Sequence, residues 1–134
     1  MVDAIKERRS IRHFLPTELS KEQVEEILCA GSAAPSAKNL QPWHFVVTTG
    51  AAKERVCKAM EAGLLRERVT PSLPNTQHYL GAAFETLRVM REAAVLILVT
   101  VPSALPMGAS MSLDQRITEI CTAQSVGAAI ENMC

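Results

Sequence analysis

Arg8, Arg9 and Arg12, with Ser10 among them, make the densest cationic cluster in the chain. In an extended exit from a helix, the alternate side chains Arg8, Ser10 and Arg12 can converge on one anion. Planar guanidinium forks match the oxygens of a phosphate dianion, and a serine hydroxyl adds a short donor. A solvated charged turn with Asp3 and Glu7 as local partners explains the same residues, so the cluster alone does not choose.

A second unusual run is Ala34-Pro35-Ser36-Ala37-Lys38-Asn39-Leu40-Gln41-Pro42-Trp43. Its small residues let the backbone approach a flat ligand closely, and the amides of Asn39 and Gln41 can bond ring heteroatoms. A plain helix-to-strand loop has the same composition.

Other chemistries are poorly represented. The four cysteines, Cys29, Cys57, Cys121 and Cys134, form no CxxC pair and have no histidine at ligand spacing, so no metal site is expected. Buried or partly buried free thiols are the expectation. His13, His44 and His78 are scattered, and no side chain stands out as catalytic. The six glycines cannot form GxGxxG or a phosphate-binding P-loop, and no GxSxG elbow is present. Dinucleotide-fold dehydrogenase, P-loop NTPase and α/β-hydrolase readings are therefore poor.

The elements that must position the two runs can be read from local pattern. Val2 and Ile5 predict a short first helix with Arg8 and Arg9 at its cationic end. Ser20-Lys21-Glu22-Gln23 is a capping box opening a second helix on Val24, Ile27 and Leu28, limited by Gly31 and Pro35. Residues 44–49 predict a strand ended by Gly50, then a helix over 53–62, a surface loop over 70–75 with two prolines, and a helix over 79–91. Residues 94–101 predict a buried strand. A connection over 102–111 leads to a long helix over 113–134, apolar on nearly every side around Val126 to Ile130 and so expected to be enclosed by protein.

With 134 residues the chain has the size of one domain, and 14 basic against 14 acidic residues give no global field toward nucleic acid or an anionic membrane. The longest apolar stretch, residues 93–101, is about half of the ~20 residues a membrane-spanning helix requires. Without an apolar N-terminal segment, a cytoplasmic location is expected. Two strands alone make a marginal sheet, so further sheet is expected from a partner subunit or from residues downstream.

Taken together, the runs carry a resemblance. An RRS[IV]R-x-F segment (Arg8 to Arg12, Phe14) followed by APSxxNxQPW-x-F (Ala34 to Trp43, Phe45) and a strand resembles the N-terminal part of the nitroreductase family of flavoproteins. The resemblance continues through residues 92–99 and into 125–133, which look like the start of that family's long central helix.

It implies an α+β, nitroreductase-like sandwich with a mainly antiparallel sheet flanked by helices and a long central helix. It implies FMN as cofactor, NAD(P)H as electron donor, and a homodimer with FMN at the interface. Arg8, Arg9, Ser10 and Arg12 would contact the phosphate, ribityl chain and pyrimidine edge. Pro35, Ser36, Ala37 and Asn39 would reach the same flavin from the other subunit, with Gln41, Pro42 and Trp43 fixing the loop. Ser125 or Gln124 would approach the cofactor or form a helix–helix hydrogen bond. Positive charge beside the pyrimidine favours hydride acceptance by flavin, and the chemistry needs no catalytic side chain.

The implied activity is ping-pong transfer to a nitroaromatic, quinone or similar conjugated acceptor, with selectivity in residues 61–91 and 102–112. Specialised relatives perform dehalogenation, oxidative ring formation or flavin breakdown. Family members continue with more helix, two strands and a basic phosphate contact, so the chain is expected to be incomplete at its C-terminus. A flavin-binding or dimerisation module without turnover, or a non-flavin anion-binding domain, are the alternatives. FMN binding without NAD(P)H oxidation would mark the first, and a colourless protein whose phosphate binding weakens in Arg12→Ala the second.

Overall fold

The computed structural model describes residues 2–106 and 108–134, leaving aside the side chains of Val2 and Ala4. Met107, in the expected 102–111 connection, and the Val2 side chain used to predict the first helix therefore lie outside the described residues. In chain order come α1 (Val2–Glu7), α2 (Lys21–Ser32), a 3-10 turn (Ala37–Asn39), β1 (His44–Thr48), α3 (Gly50–Val69), α4 (Thr76–Glu92), β2 (Leu96–Thr100) and α5 (Leu113–Met133). The fold is α+β, with one small sheet in which β1 and β2 are neighbours. The chain divides into two compact units, one holding residues up to Glu18 with Val47–Leu96, the other Leu19–Val46 with Ile97–Cys134.

In the first unit, α3 packs on α4. Leu80, Leu87, Cys57 and Ala93 are buried there, and Cys57 is fully enclosed. Two side chains tie the hairpin. The Lys53 ammonium donates to the carbonyls of Arg91 (2.9 Å) and Ala93 (2.5 Å), where the end of α4 leaves acceptors unsatisfied. Arg91 donates to both carboxylate oxygens of Glu61, at 2.8 and 3.3 Å.

Helix α3 is longer than its sequence predicts. It starts directly at Gly50 and runs through Gly63 to Val69. An interior glycine costs only about 1 kcal/mol, which the good helix formers after Gly63 and the packing on α4 offset. The stop comes at Thr70, because Pro71 disfavours helical backbone in the residue before it. Ser72 closes the turn by donating from its N–H and hydroxyl to Glu67. Asn75, with φ of 57°, tolerates the left-handed conformation that begins α4.

The Glu61 carboxyl is held below its ordinary range, first by the hydrogen bond from Arg91 and then by its charge. A depressed folded value stabilises the native state above the unfolded glutamate pKa of about 4.3 and loses that contribution as pH falls through the folded value. Because the pair is exposed, the effect is small and screened by salt. Glu61→Gln is therefore expected to lower the melting temperature slightly at neutral pH and to converge with the parent in acid, which flattens part of the acid limb. An acid limb identical to the parent's would exclude this linkage.

In the second unit, α2 packs on α5. The capping box of α2 forms as predicted, with the Gln23 N–H donating to Ser20 Oγ and the Ser20 N–H to Gln23 Oε1. Helix α5 starts at Leu113 as the sequence predicts, and opens on a second box, Ser112 with Gln115, that follows directly on the connection over 102–111. Helix α2 stops at Ser32, one residue after Gly31 and before Pro35, within the limit the sequence sets. Gly31 itself is buried, and a Cβ there would stand 3.0 Å from Met133 and 3.2 Å from Phe45. Its missing side chain lets α2 approach α5, where Asn132 also donates to the Ala30 carbonyl at 3.2 Å.

The register of the sheet follows from two hydroxyls. Thr48 Oγ1 donates to the Leu96 carbonyl (3.5 Å) and Thr100 Oγ1 to the His44 carbonyl (3.3 Å), so 48 faces 96 and 44 faces 100, an antiparallel pair. Strand β2 is half-buried instead of buried as predicted, since a continuous apolar run does not say how much cover each face receives. In α5, Ser125 and Ala129 are buried and Ile130 is exposed, as are Ile117 and Ile120 nearer its start. Among the thiols, only Cys57 is buried and Cys121 half-buried; Cys29 and Cys134 are exposed, contrary to expectation.

Candidate functional site

Arg8, Arg9, Ser10 and Arg12 leave the end of α1 in a segment without regular structure, and all four are exposed. The carbonyls at a helix C-terminus attract cations, and Arg9 answers by donating to the carbonyls of Lys6 (2.8 Å) and Arg8 (2.9 Å). Arg12 donates to the Ser10 carbonyl at 3.3 Å, a long bond. Among the described residues, neither Arg9 nor Arg12 has a carboxylate within ion-pair distance, so these two guanidiniums carry only main-chain bonds. The nearby His13 instead pairs with Glu92 at 3.4 Å.

The second run lies in the other unit. Ala34 is buried, Ser36 and Ala37 are half-buried, and Pro35 and Asn39 are exposed. Lys38 and Asn39 both have φ of 54° and Gln41 has 44°. Left-handed backbone at residues other than glycine costs of order 1–3 kcal/mol each and persists only where the surroundings fix it.

Those fixings are visible. Ser36 supplies two of them, its carbonyl accepting from the Asn39 N–H (3.0 Å) and its hydroxyl from the Gln41 N–H (2.9 Å). The Leu40 N–H bonds the Ala37 carbonyl at 3.1 Å. The Ala37 N–H donates to Ser125 Oγ of α5 at 3.2 Å, and that hydroxyl in turn donates to the Cys121 carbonyl at 2.7 Å. Trp43 stacks on Phe45 with ring centroids 6.3 Å apart, joining the end of the loop to β1. Gln41 and Trp43 thus brace the loop, as expected of them.

Ser125, expected either to approach the cofactor or to bond a second helix, accepts from the main chain of the loop that carries Pro35, Ser36, Ala37 and Asn39. Its one sequence signal is a hydroxyl directly before the apolar run of residues 126–130, and it is 6% exposed. Gln124 is exposed. The next residue, Val126, lines a groove of about 490 Å³ with Val101, Ala104, Leu105, Thr118 and Thr122. Ala104 and Leu105 come from the 102–112 stretch expected to carry selectivity. Among the described residues no group of His, Cys, Asp and Glu side chains could hold a metal ion, and no helix is long and apolar enough to cross a membrane.

The model of the nitroreductase family matches residues 5–134. The nitroreductase NfnB of Mycolicibacterium smegmatis is 40% identical over 70 residues, which are 52% of this chain and 30% of that protein. A BluB-like flavoprotein from Clostridium difficile 630 superimposes with a TM-score of 0.68 at 29% identity, over 98% of this chain and 66% of its own. A nitroreductase-like protein from Desulfovibrio desulfuricans, solved in complex with FMN, does so with a TM-score of 0.61 at 30% identity, over 98% of this chain and 58% of its own. The chain therefore matches less than two thirds of the length of these relatives.

Proposed function

Since the chain belongs to the nitroreductase family, we propose that it forms part of an FMN-dependent oxidoreductase. Electrons would come from NAD(P)H and go to a nitroaromatic, quinone or similar conjugated acceptor in a ping-pong cycle. The protein would be a cytoplasmic homodimer with FMN at the interface, each chain contributing residues 1–134 as a single domain. The observation that carries this is the continuous match over residues 5–134, which takes in both the arginine cluster and the left-handed loop.

The donor set fits the cofactor. A phosphate dianion is best held by guanidinium forks not already spent on carboxylates. Arg9 and Arg12 have only main-chain carbonyls to give up. Arg8, Arg9, Ser10 and Arg12 would bind the phosphate, ribityl chain and pyrimidine edge. Pro35, Ser36, Ala37 and Asn39 would line the flavin from the braced loop, whose small side chains admit a flat ring. Bound FMN would supply the hydride chemistry, accepting from the nicotinamide and delivering to the acceptor. The chain's own part is to bind, orient and place positive charge beside the pyrimidine, with no side chain as acid or base.

The test is an absorption spectrum of the purified chain with FMN, followed by anaerobic titration with NADH and NADPH. Tight binding and bleaching of the visible bands are expected, with parallel lines in a two-substrate kinetic analysis. Binding without bleaching would favour a flavin-binding module that lacks turnover. A chain that ignores FMN would remove the proposal.

A further inference from the structure

We propose that Ser125 is a positioning residue for flavin binding, acting through the main chain of the 36–41 loop; this rests on the reading that the loop contacts FMN. Its hydroxyl is nearly buried and both donates and accepts. It donates to the Cys121 carbonyl one helical turn back, at 2.7 Å, which fixes the direction of its lone pairs. It then accepts from the Ala37 N–H at 3.2 Å. Among the described residues that bond is the one polar link from the loop's 3-10 turn to α5, and it comes immediately before the left-handed pair Lys38 and Asn39.

Two further observations make this link decisive for the loop's shape. The other hydrogen bonds, from Asn39, Leu40 and Gln41, stay within the loop, so they fold it but do not tell it where to stand on α5. The left-handed residues hold conformational energy that an unanchored loop would release by relaxing to right-handed or extended backbone. Ser125 therefore decides whether Ala37 and Asn39 are presented ready for the ligand or have to be ordered when it binds. Ordering on binding weakens affinity without removing any contact to the ligand.

The experiment compares Ser125→Ala, and the equal-sized pair Ser125→Thr and Ser125→Val, in the full chain. Thr can bond the carbonyl four residues back as serine does, and Val cannot. Three quantities are read for each: FMN dissociation constant by flavin fluorescence, thermal unfolding of the FMN-free protein, and amide exchange of residues 37–41. Ala and Val are expected to weaken FMN about 3- to 10-fold, the equivalent of one lost neutral hydrogen bond, and to speed exchange at Ala37, while Thr stays within about 2-fold of the parent. If Ser125→Ala does not unfold cooperatively, the Thr and Val pair decides alone.

Faster exchange at Ala37 with unchanged FMN affinity would overturn the proposal and leave the flavin reading standing. So would equal weakening by Thr and Val, since volume and not the hydroxyl would then matter. A parent chain that binds no FMN would overturn the proposal together with the reading beneath it.

Discussion

If Arg12 holds the flavin phosphate as proposed, Arg12→Ala is expected to lower FMN affinity by about 10- to 100-fold and to leave the unfolding midpoint of the FMN-free protein where it was. A hydrogen bond between a guanidinium and an ionised phosphate contributes about 1.5–3 kcal/mol, and each 1.4 kcal/mol is tenfold in a binding constant. The competing bond that Arg12 gives up, to the Ser10 carbonyl, is long at 3.3 Å and lies on an exposed segment, so it offsets little. Arg12→Lys keeps the charge but not the fork and is expected to fall between the two. The measurement is a fluorescence titration at two salt concentrations, in which the parent's affinity weakens more with salt than the alanine variant's. Equal affinities for parent and Arg12→Ala would remove Arg12 from the phosphate clamp and shift the burden to Arg8 and Arg9.

Leu87→Ala is expected to give the largest loss of stability of these changes, about 2–5 kcal/mol. Leu87 is 2% exposed in α4, the helix that packs on α3, and α3 carries the fully enclosed Cys57. Truncation removes the transfer energy of a whole isobutyl group and leaves a cavity lined by rigid helices that are tied at one end by Lys53. For a chain of this size the melting temperature should fall by about 10 °C. Leu73, on the loop between the helices and 49% exposed, is the control; Leu73→Ala should stay within about 0.5 kcal/mol. A Leu87→Ala loss below about 1 kcal/mol in a denaturant titration would mean that the α3–α4 interface closes around the missing group.

The residues proposed to hold the flavin stand out in the sequence by type and spacing. Arginine forks beside a serine, and small residues with amides and prolines, can be read one neighbour at a time. So could the Ser20 capping box, the β-branched run of β1 and the stop imposed by the prolines of 70–75. The second capping box, Ser112 with Gln115, carried the same local signal and was lost to the proline- and glycine-bearing stretch before it. The extent of α3 was lost differently. Gly63 marks a weakness in a helix, and only the α4 surface beneath it says whether that weakness breaks the chain.

What the sequence determined by itself is whatever hydrogen bonding and steric fit settle among close neighbours: caps, turns, strand and helix type, and membership of a family whose paired motifs stand in the first third of the chain. The tertiary structure decided the rest. Gly31 proves to be a place where α2 and α5 touch, and the bond between Ala37 and Ser125 joins residues 88 positions apart. The left-handed backbone at Lys38, Asn39 and Gln41 has no glycine to announce it. Each depends on an energy shared between distant segments, which no local pattern records because neither partner's neighbours feel it until the chain has folded.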